Sequence, residues 1–225
     1  RKNQISIPEC KLISVENLSD YKLEIDFPIV VKPLRGRGSQ GVQLVANRNE
    51  LDKILNKIFS KKEYGNSIYV EQFLSGQEIT VTVMPTGNYK INKLEKSYKK
   101  PWCLPAVKRF NHENGIAPYN GVVAVMKNSS VLNDNELKSN KIEEVYRQCE
   151  KAGQLLNIKA PIRIDCRANE NEKYFLFDLN MKPNMTGPSR PHRQNQDSLT
   201  LLAARKMGWN YIDLLNNMLQ QAWKY

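Results

Sequence analysis

Two short polar strings in the second half of the chain carry the densest chemistry: Arg163-Ile-Asp165-Cys and Phe177-Asp178-Leu-Asn180. Strand alternation puts Arg163 and Asp165 on one face and Ile162, Ile164 and Cys166 on the other. On a return strand, Asp178 and Asn180 share a face, with Phe175 and Phe177 expected on the opposite one. A hairpin around Asn169-Glu-Asn-Glu172 that registers the two polar faces would converge two carboxylates, an amide and a guanidinium. Oxygen donors of this kind suit Mg²⁺, which leaves its other positions to water and phosphate. The alternative is a solvated hairpin face, and the apolar remainder of both strands weighs against it.

A second set lies near the start. Gly36-x-Gly38-Ser39-x-Gly41 has the spacing of a dinucleotide fingerprint, but that fingerprint needs a helix to open at the glycines. Here Val42-Gln-Leu-Val45 reads as a strand, and the helix begins only near Asn49. A strand, glycine loop and strand can instead cover phosphates with backbone N–H groups. Lys32, on the preceding strand, is placed to reach an α- or β-phosphate. A plain turn is the competing reading. The third string, Tyr69-Val-Glu71-Gln-Phe-Leu74-Ser-Gly-Gln-Glu78, is by itself no more than an edge strand with exposed acids.

The elements that must position these residues follow from periodicity. Phe27–Pro33, 42–45, Ser67–Gln72 and Glu78–Met84 read as strands, with a turn composition at 74–77. Leu51, Ile54, Leu55, Ile58 and Phe59 follow helical spacing behind Asn47 or Asn49 as N-cap. Residues 97–120 show no period and read as a long loop, followed by a strand over 121–126. An amphipathic helix carries Ile142, Val145, Tyr146, Cys149, Ala152 and Leu156. Pro161–Ala168 and Lys173–Leu179 form the hairpin, and helices start near Ser198 and Tyr211. Strands and helices mix without βαβ alternation, so the fold class is α+β.

With 225 residues, 40% hydrophobic and 25% charged, the composition is that of a globular chain. No run long enough to span a membrane is present. The chain opens on Arg without a leader, which predicts a piece of a longer, cytoplasmic protein. Cys10, Cys103, Cys149 and Cys166 form no C-x-x-C pair and read as reduced thiols. The net charge of +11 invites a polyanionic partner. Yet Lys53, Lys57, Lys61 and Lys62 lie on a helix exterior, the pattern of a solvated face, so no nucleic-acid partner is expected.

Together the three strings, in this order and spacing, resemble the ATP-grasp superfamily and most nearly its D-alanine–D-alanine ligase-like branch. The likeness covers nearly the whole chain, including Ser198–Gly208, which looks like the family's C-terminal helix. It implies two lobes of antiparallel sheet with helices clamping ATP, a small lobe over 1–72 and a large one over 73–225, with a preceding substrate lobe outside this sequence. Lys32 would hold the α/β-phosphates under the loop of Gly36, Gly38, Ser39 and Gly41. Glu71 and the backbone near Leu74 would meet adenine, and Glu78 the ribose. Asp165, Asp178 and Asn180 would bind two Mg²⁺ ions. Arg163 would stabilise the acyl-phosphate, and Lys108 would stand near the γ-phosphate. The implied activity is ATP-dependent carboxylate–amine ligation through an acyl-phosphate, releasing ADP and phosphate, with small carboxylates and amines as partners and no membrane. A homodimer is left open. The alternative is a catalytically silent ATP-binding module of the same fold.

Three departures stand out. Asp178 replaces the usual Glu, Asn184 replaces the glycine usual after Pro183, and Gly187–Asp197 looks like an insertion. That insertion places Arg190, His192 and Arg193 just before Ser198, and guanidinium forks suit a substrate's carboxylate or phosphate. In the ligation so implied, Arg190→Ala or Arg193→Ala should raise the acceptor's KM at least about tenfold while ATP affinity stays unchanged. Unaltered acceptor kinetics in the double variant would remove the loop from the active site.

Overall fold

The computed structural model describes residues 3–35, 39–62, 64–112, 115–116, 125–188 and 196–221. The chain divides into two units. Pro8–Ser75 with Asn111–Val123 make the smaller, and Arg1–Ile7, Gly76–Phe110 and Ala124–Tyr225 the larger. The main division therefore falls at 75/76, and the first seven residues and 111–123 belong to the opposite unit from the one a single cut after residue 72 assigns.

In the smaller unit, β1 (Cys10–Ser14), β2 (Ile29–Pro33), β3 (Gln43–Val45) and β4 (Ser67–Gln72) form an antiparallel sheet in the order β1-β4-β2-β3. Alternation in β2 and β4 buries Ile29, Val31, Ile68 and Val70 on one face. Against it lies α1 (Arg48–Lys61), through Leu51, Leu55, Ile58 and Phe59. Asn47, not Asn49, is its N-cap, accepting from the Glu50 N–H at 3.0 Å, and Glu50 accepts in return from the Ala46 N–H at 2.8 Å. The opposite sheet face is left to Val30, Lys32, Tyr69 and Glu71.

The larger unit is built on β5 (Glu78–Met84), β8 (Trp102–Cys103), β9 (Val107–Arg109), β10 (Ser129–Val131), β11 (Ile162–Ala168) and β12 (Tyr174–Asn180). The order is β10-β9-β5-β11-β12, all antiparallel, with β8 also on β5. One face packs Ile79, Val81, Val83, Ile162, Ile164 and Cys166 against Ile142, Val145, Cys149 and Ala152 of α4 (Asn140–Leu155). On the other face, α5 (Leu199–Lys206) covers one end of β5, where the Thr82 and Thr200 hydroxyls meet at 3.0 Å. A further hairpin, β6 (Gly87–Ile91) and β7 (Leu94–Tyr98), joins α6 (Tyr211–Leu219) and an aromatic group of Tyr89, Tyr98, Trp102 and Trp209. Single turns α2 (Val125–Asn128) and α3 (Asp134–Leu137) and a 3₁₀ turn at Val15–Asn17 complete the described elements.

Several expectations are corrected. Residues 97–120 are not one irregular loop, because they contain β8 and β9. Of the strand expected over 121–126, Val125 and Met126 lie in α2, and 121–124 fall outside the described residues. Leu156, just past the end of α4, is 46% exposed, while Gln148 is buried and its side-chain carbonyl accepts from the Ser6 N–H at 2.7 Å. The β6–β7 hairpin escaped periodicity because β7 is exposed along nearly its whole length. Its turn residues Asn92 and Lys93 both have positive φ, 49° and 66°, as a two-residue type I′ turn requires. All four cysteines are thiols, with Cys149 and Cys166 sulfurs 3.8 Å apart and burial pushing the Cys166 thiol up. No described helix is long and apolar enough to cross a membrane.

Ile164, fully buried between Arg163 and Asp165, ties the polar face to the core. Ile164→Ala should cost about 2–5 kcal/mol in urea unfolding. A loss below about 1 kcal/mol would mean that the sheet's back face is not close-packed.

Candidate active site

The polar face of the large sheet is set by register. Arg163 stands opposite Thr82 on β5 and Asn180 on β12, Asp165 opposite Thr80 and Asp178, and Arg167 opposite Glu78 and Phe175. Directly opposed residues of an antiparallel pair share a face, so Arg163, Asp165, Asp178 and Asn180 are brought together.

The expectation for the β12 alternation needs correction. Tyr174 and Leu176 join the core, while Phe175 lies on the polar face. The register shifts between Asp165 and Cys166, so that Cys166 faces Leu176 and Asp165 faces Asp178. Phe177 is the extra residue of a β-bulge. Without it, Asp178 would face Ile164 and point toward the core. Bulges of this kind commonly re-aim a side chain beside an active site.

Asp165 is held by two partners. Its Oδ1 accepts from the Thr80 hydroxyl at 2.7 Å and from Arg163 Nε at 3.2 Å, and its Oδ2 accepts from Arg163 Nη2 at 3.3 Å. The Arg163 and Asp165 side chains are each 11% exposed. Glu78 lies 3.8 Å from Arg167 Nη1, and Arg167 Nε also donates to the Gly76 carbonyl at 3.2 Å. Gly76 is a close-approach position: a Cβ there would sit 2.7 Å from the Ala168 carbonyl oxygen. Asn180 Oδ1 accepts from the Lys182 N–H at 3.0 Å, which orients the amide at the strand end.

Arg109 is the residue that sequence reasoning missed. It pairs in register with Glu78 and so shares the polar face, whereas Lys108 pairs with Ile79 on the other. Lys108 Nζ lies 3.8 Å from Glu136 instead, so the cation that β9 brings to this face is Arg109. Burial holds the Arg109 guanidinium below its ordinary range, and the Glu78 and Asp165 carboxylates pull it back up. A three-residue strand gives no phase by itself, and only pairing with β5 decides which of the two neighbours faces inward.

In the smaller unit, Lys32 Nζ lies 2.7 Å from the Glu71 carboxylate, at 23% and 13% side-chain exposure. Leu74 is buried just beyond β4. Gly41 has φ of 76°, and a Cβ on it would come within 2.7 Å of Tyr64 Cζ and 2.8 Å of Pro33 Cγ, so the exit of the glycine loop demands glycine. Ser39 also has positive φ, 63°. Gly36 and Gly38 lie outside the described residues, as do Arg190 and Arg193. Ser198 is buried and caps α5, its hydroxyl accepting from the Leu201 N–H at 3.2 Å. Asn184 makes its own turn, accepting from the Thr186 N–H and hydroxyl at 2.9 and 2.8 Å. No cluster of three or more His, Cys, Asp or Glu side chains suited to a metal occurs among the described residues. The expected oxygen set has two carboxylates and an amide.

Two antiparallel-sheet units of this topology, one opening on a lysine strand and glycine loop and the other carrying a polar hairpin, define the ATP-grasp fold. The family model described as the D-ala D-ala ligase C-terminus matches residues 5–220, and the chain belongs to that family. A D-alanine–D-alanine ligase of Buchnera aphidicola is 28% identical over 198 residues, 88% of this chain and 55% of that protein. One from a Marinomonas species is 26% identical over 224 residues, 98% of this chain and 62% of that protein. Among solved structures, the D-alanine–D-alanine ligase from Bacillus anthracis complexed with ATP has a TM-score of 0.66 at 20% identity, covering 98% of this chain and 60% of that one. The VanG D-Ala:D-Ser ligase from Enterococcus faecalis has a TM-score of 0.69 at 14% identity, covering 98% and 58%. The chain thus spans between about half and two thirds of the length of these relatives.

Asp165→Ala should destabilise the chain by about 3–5 kcal/mol, because it strands the Arg163 guanidinium in a nearly buried site. Thr80→Val should cost about 1 kcal/mol, the loss of one neutral hydrogen bond. Urea unfolding of both variants checks this, and equal midpoints for Asp165→Ala and wild type would show that the pair is solvated.

Proposed function

We propose that this chain is the nucleotide-binding and catalytic portion of an ATP-dependent carboxylate–amine ligase that joins two small amino acids, with D-alanine the first to test. The observation that supports this best is the bulged register of β11 and β12, which sets Arg163 and Asp165 opposite Asn180 and Asp178 on one polar face. The relatives' names and the ATP in one solved neighbour point the same way.

The reaction asks for little covalent help and much charge control. A substrate carboxylate oxygen attacks the γ-phosphorus while the bond to the bridging oxygen breaks and ADP leaves. The amine then attacks the acyl carbon, the phosphate departs with the C–O electron pair, and the amine loses a proton. Lys32 binds the α/β-phosphates, exchanging its Glu71 contact for the nucleotide. Glu71 and the backbone around Leu74 hold adenine. Glu78 hydrogen-bonds the ribose from a position fixed by Arg167. Arg163, oriented by Asp165, stabilises the negative charge of the acyl-phosphate and of the tetrahedral intermediate, and Arg109 adds a second cation to the same face. Asp165, Asp178 and Asn180 present oxygen donors only, the chemistry that Mg²⁺ accepts. Mg²⁺ held by these three residues would supply neutralisation of phosphate charge.

In the longer protein that contains this chain, ADP release across a panel of D- and L-amino acids should require two amino-acid substrates. Nucleotide binding without any stimulated release would overturn the ligase reading. Lys32→Ala should weaken ATP binding by about 2–5 kcal/mol, since it removes the cation that meets the phosphates. Calorimetry with unchanged affinity would remove Lys32 from the nucleotide site.

A further inference from the structure

The smaller unit carries a cavity of about 400 Å³ that the proposed reaction does not use. Gln43 stands opposite Val31 in register, so it lies on the side of the sheet that α1 covers, away from the face with Lys32 and Glu71. Helix α1 supplies most of the lining. Lys53 and Lys57, one turn apart and both solvent-exposed, stand at its open mouth, while Ile54 and Ile58 form an apolar floor and Tyr64 adds an aromatic wall. The ammonium groups of Lys53 and Lys57 make no hydrogen bond or ion pair among the described residues. The one carboxylate in the lining, Glu50, accepts from the Ala46 N–H at 2.8 Å and stands one turn before Lys53 on α1.

We propose that this cavity binds a small organic anion, a carboxylate or phosphate on an aromatic or branched apolar body. Two cations at helical spacing give paired contacts to one anionic group. Ile54, Ile58 and Tyr64 remove the apolar part from water, and the volume lies within the range of small-molecule sites. Placement gives this ligand a second consequence. Tyr64 is the ring against which Gly41 closes, with a Cβ at that glycine only 2.7 Å from Tyr64 Cζ. A ligand seated on Tyr64 therefore touches the side chain that packs against Gly41, so its binding should be felt at that residue. This inference is independent of which substrates are ligated.

Phenyl phosphate is the probe, titrated into the full ¹⁵N-labelled chain with inorganic phosphate in a parallel titration. The expected result is saturable shifts at Lys53, Ile54, Lys57, Tyr64 and Gly41, with a Kd below about 1 mM. Inorganic phosphate should bind at least about tenfold more weakly, and Lys53→Ala/Lys57→Ala should weaken phenyl phosphate at least about tenfold. Lys32→Ala should leave these shifts in place, which separates the cavity from the nucleotide site. Shifts confined to Lys32 and Glu71, equal binding by the double variant, or equal affinity for inorganic phosphate would each overturn the proposal. So would shifts at the cavity that leave Gly41 unmoved.

Discussion

Strand β11 sits between β5 and β12, and its alternation is fixed by what lies behind it. Ile162, Ile164, Cys166 and Ala168 are all nearly or fully buried in the core that α4 closes. A slip of one residue would turn Arg163, Asp165 and Arg167 into that core and expose four apolar side chains. Burial of apolar surface therefore chooses the phase, and the chemical face follows from it. The neighbouring strands inherit the same phase through register, which is how Glu78, Thr80, Arg109, Asp178 and Asn180 come to share one surface.

That surface balances its own charge. Arg109, Arg163 and Arg167 are interleaved with Glu78, Asp165 and Asp178. Nearly buried cations and anions tolerate low solvent access only when each has a partner. Most of these charges therefore meet an opposite charge within the face itself. The Lys32–Glu71 contact in the smaller unit follows the same rule, with a carboxylate holding a strand lysine in place.

Much of this was legible from residue types and spacing. The helix after Asn47, the hairpin of β11 and β12 and the start of α6 follow from periodicity, caps and turn residues. The grouping of Arg163, Asp165, Asp178 and Asn180 was also within reach. The route to it was not, since simple alternation along β12 aims Asp178 to the same side as Leu176. Only the bulge at Phe177 reconciles a buried Leu176 with a site-facing Asp178, and a bulge leaves no period in a sequence. Lys108 and Arg109 show the same limit on a smaller scale. Two adjacent cations on a three-residue strand differ only in which neighbour they meet across the ladder. Strands β6 and β7 were invisible for another reason: with little apolar burial, β7 shows no alternation to read.

The chain passes between its two units at 7/8, 75/76, 110/111 and 123/124. Neither unit is therefore one uninterrupted stretch of sequence. Of the residues after Phe110, Gly115 packs within the smaller unit, where a Cβ on it would meet Phe73 at 3.0 Å and Leu44 at 3.9 Å. At the other end, Ser6 is tied into the larger unit by Gln148 and by its carbonyl, which accepts from the Leu176 N–H at 2.9 Å. Subcloning by a single cut is thus a poor way to isolate either half, since a fragment ending at residue 75 loses the cover over Phe73 and Leu44. Exchange of halves between relatives would have to carry all three segments of the larger unit, or both of the smaller, as one genetic package.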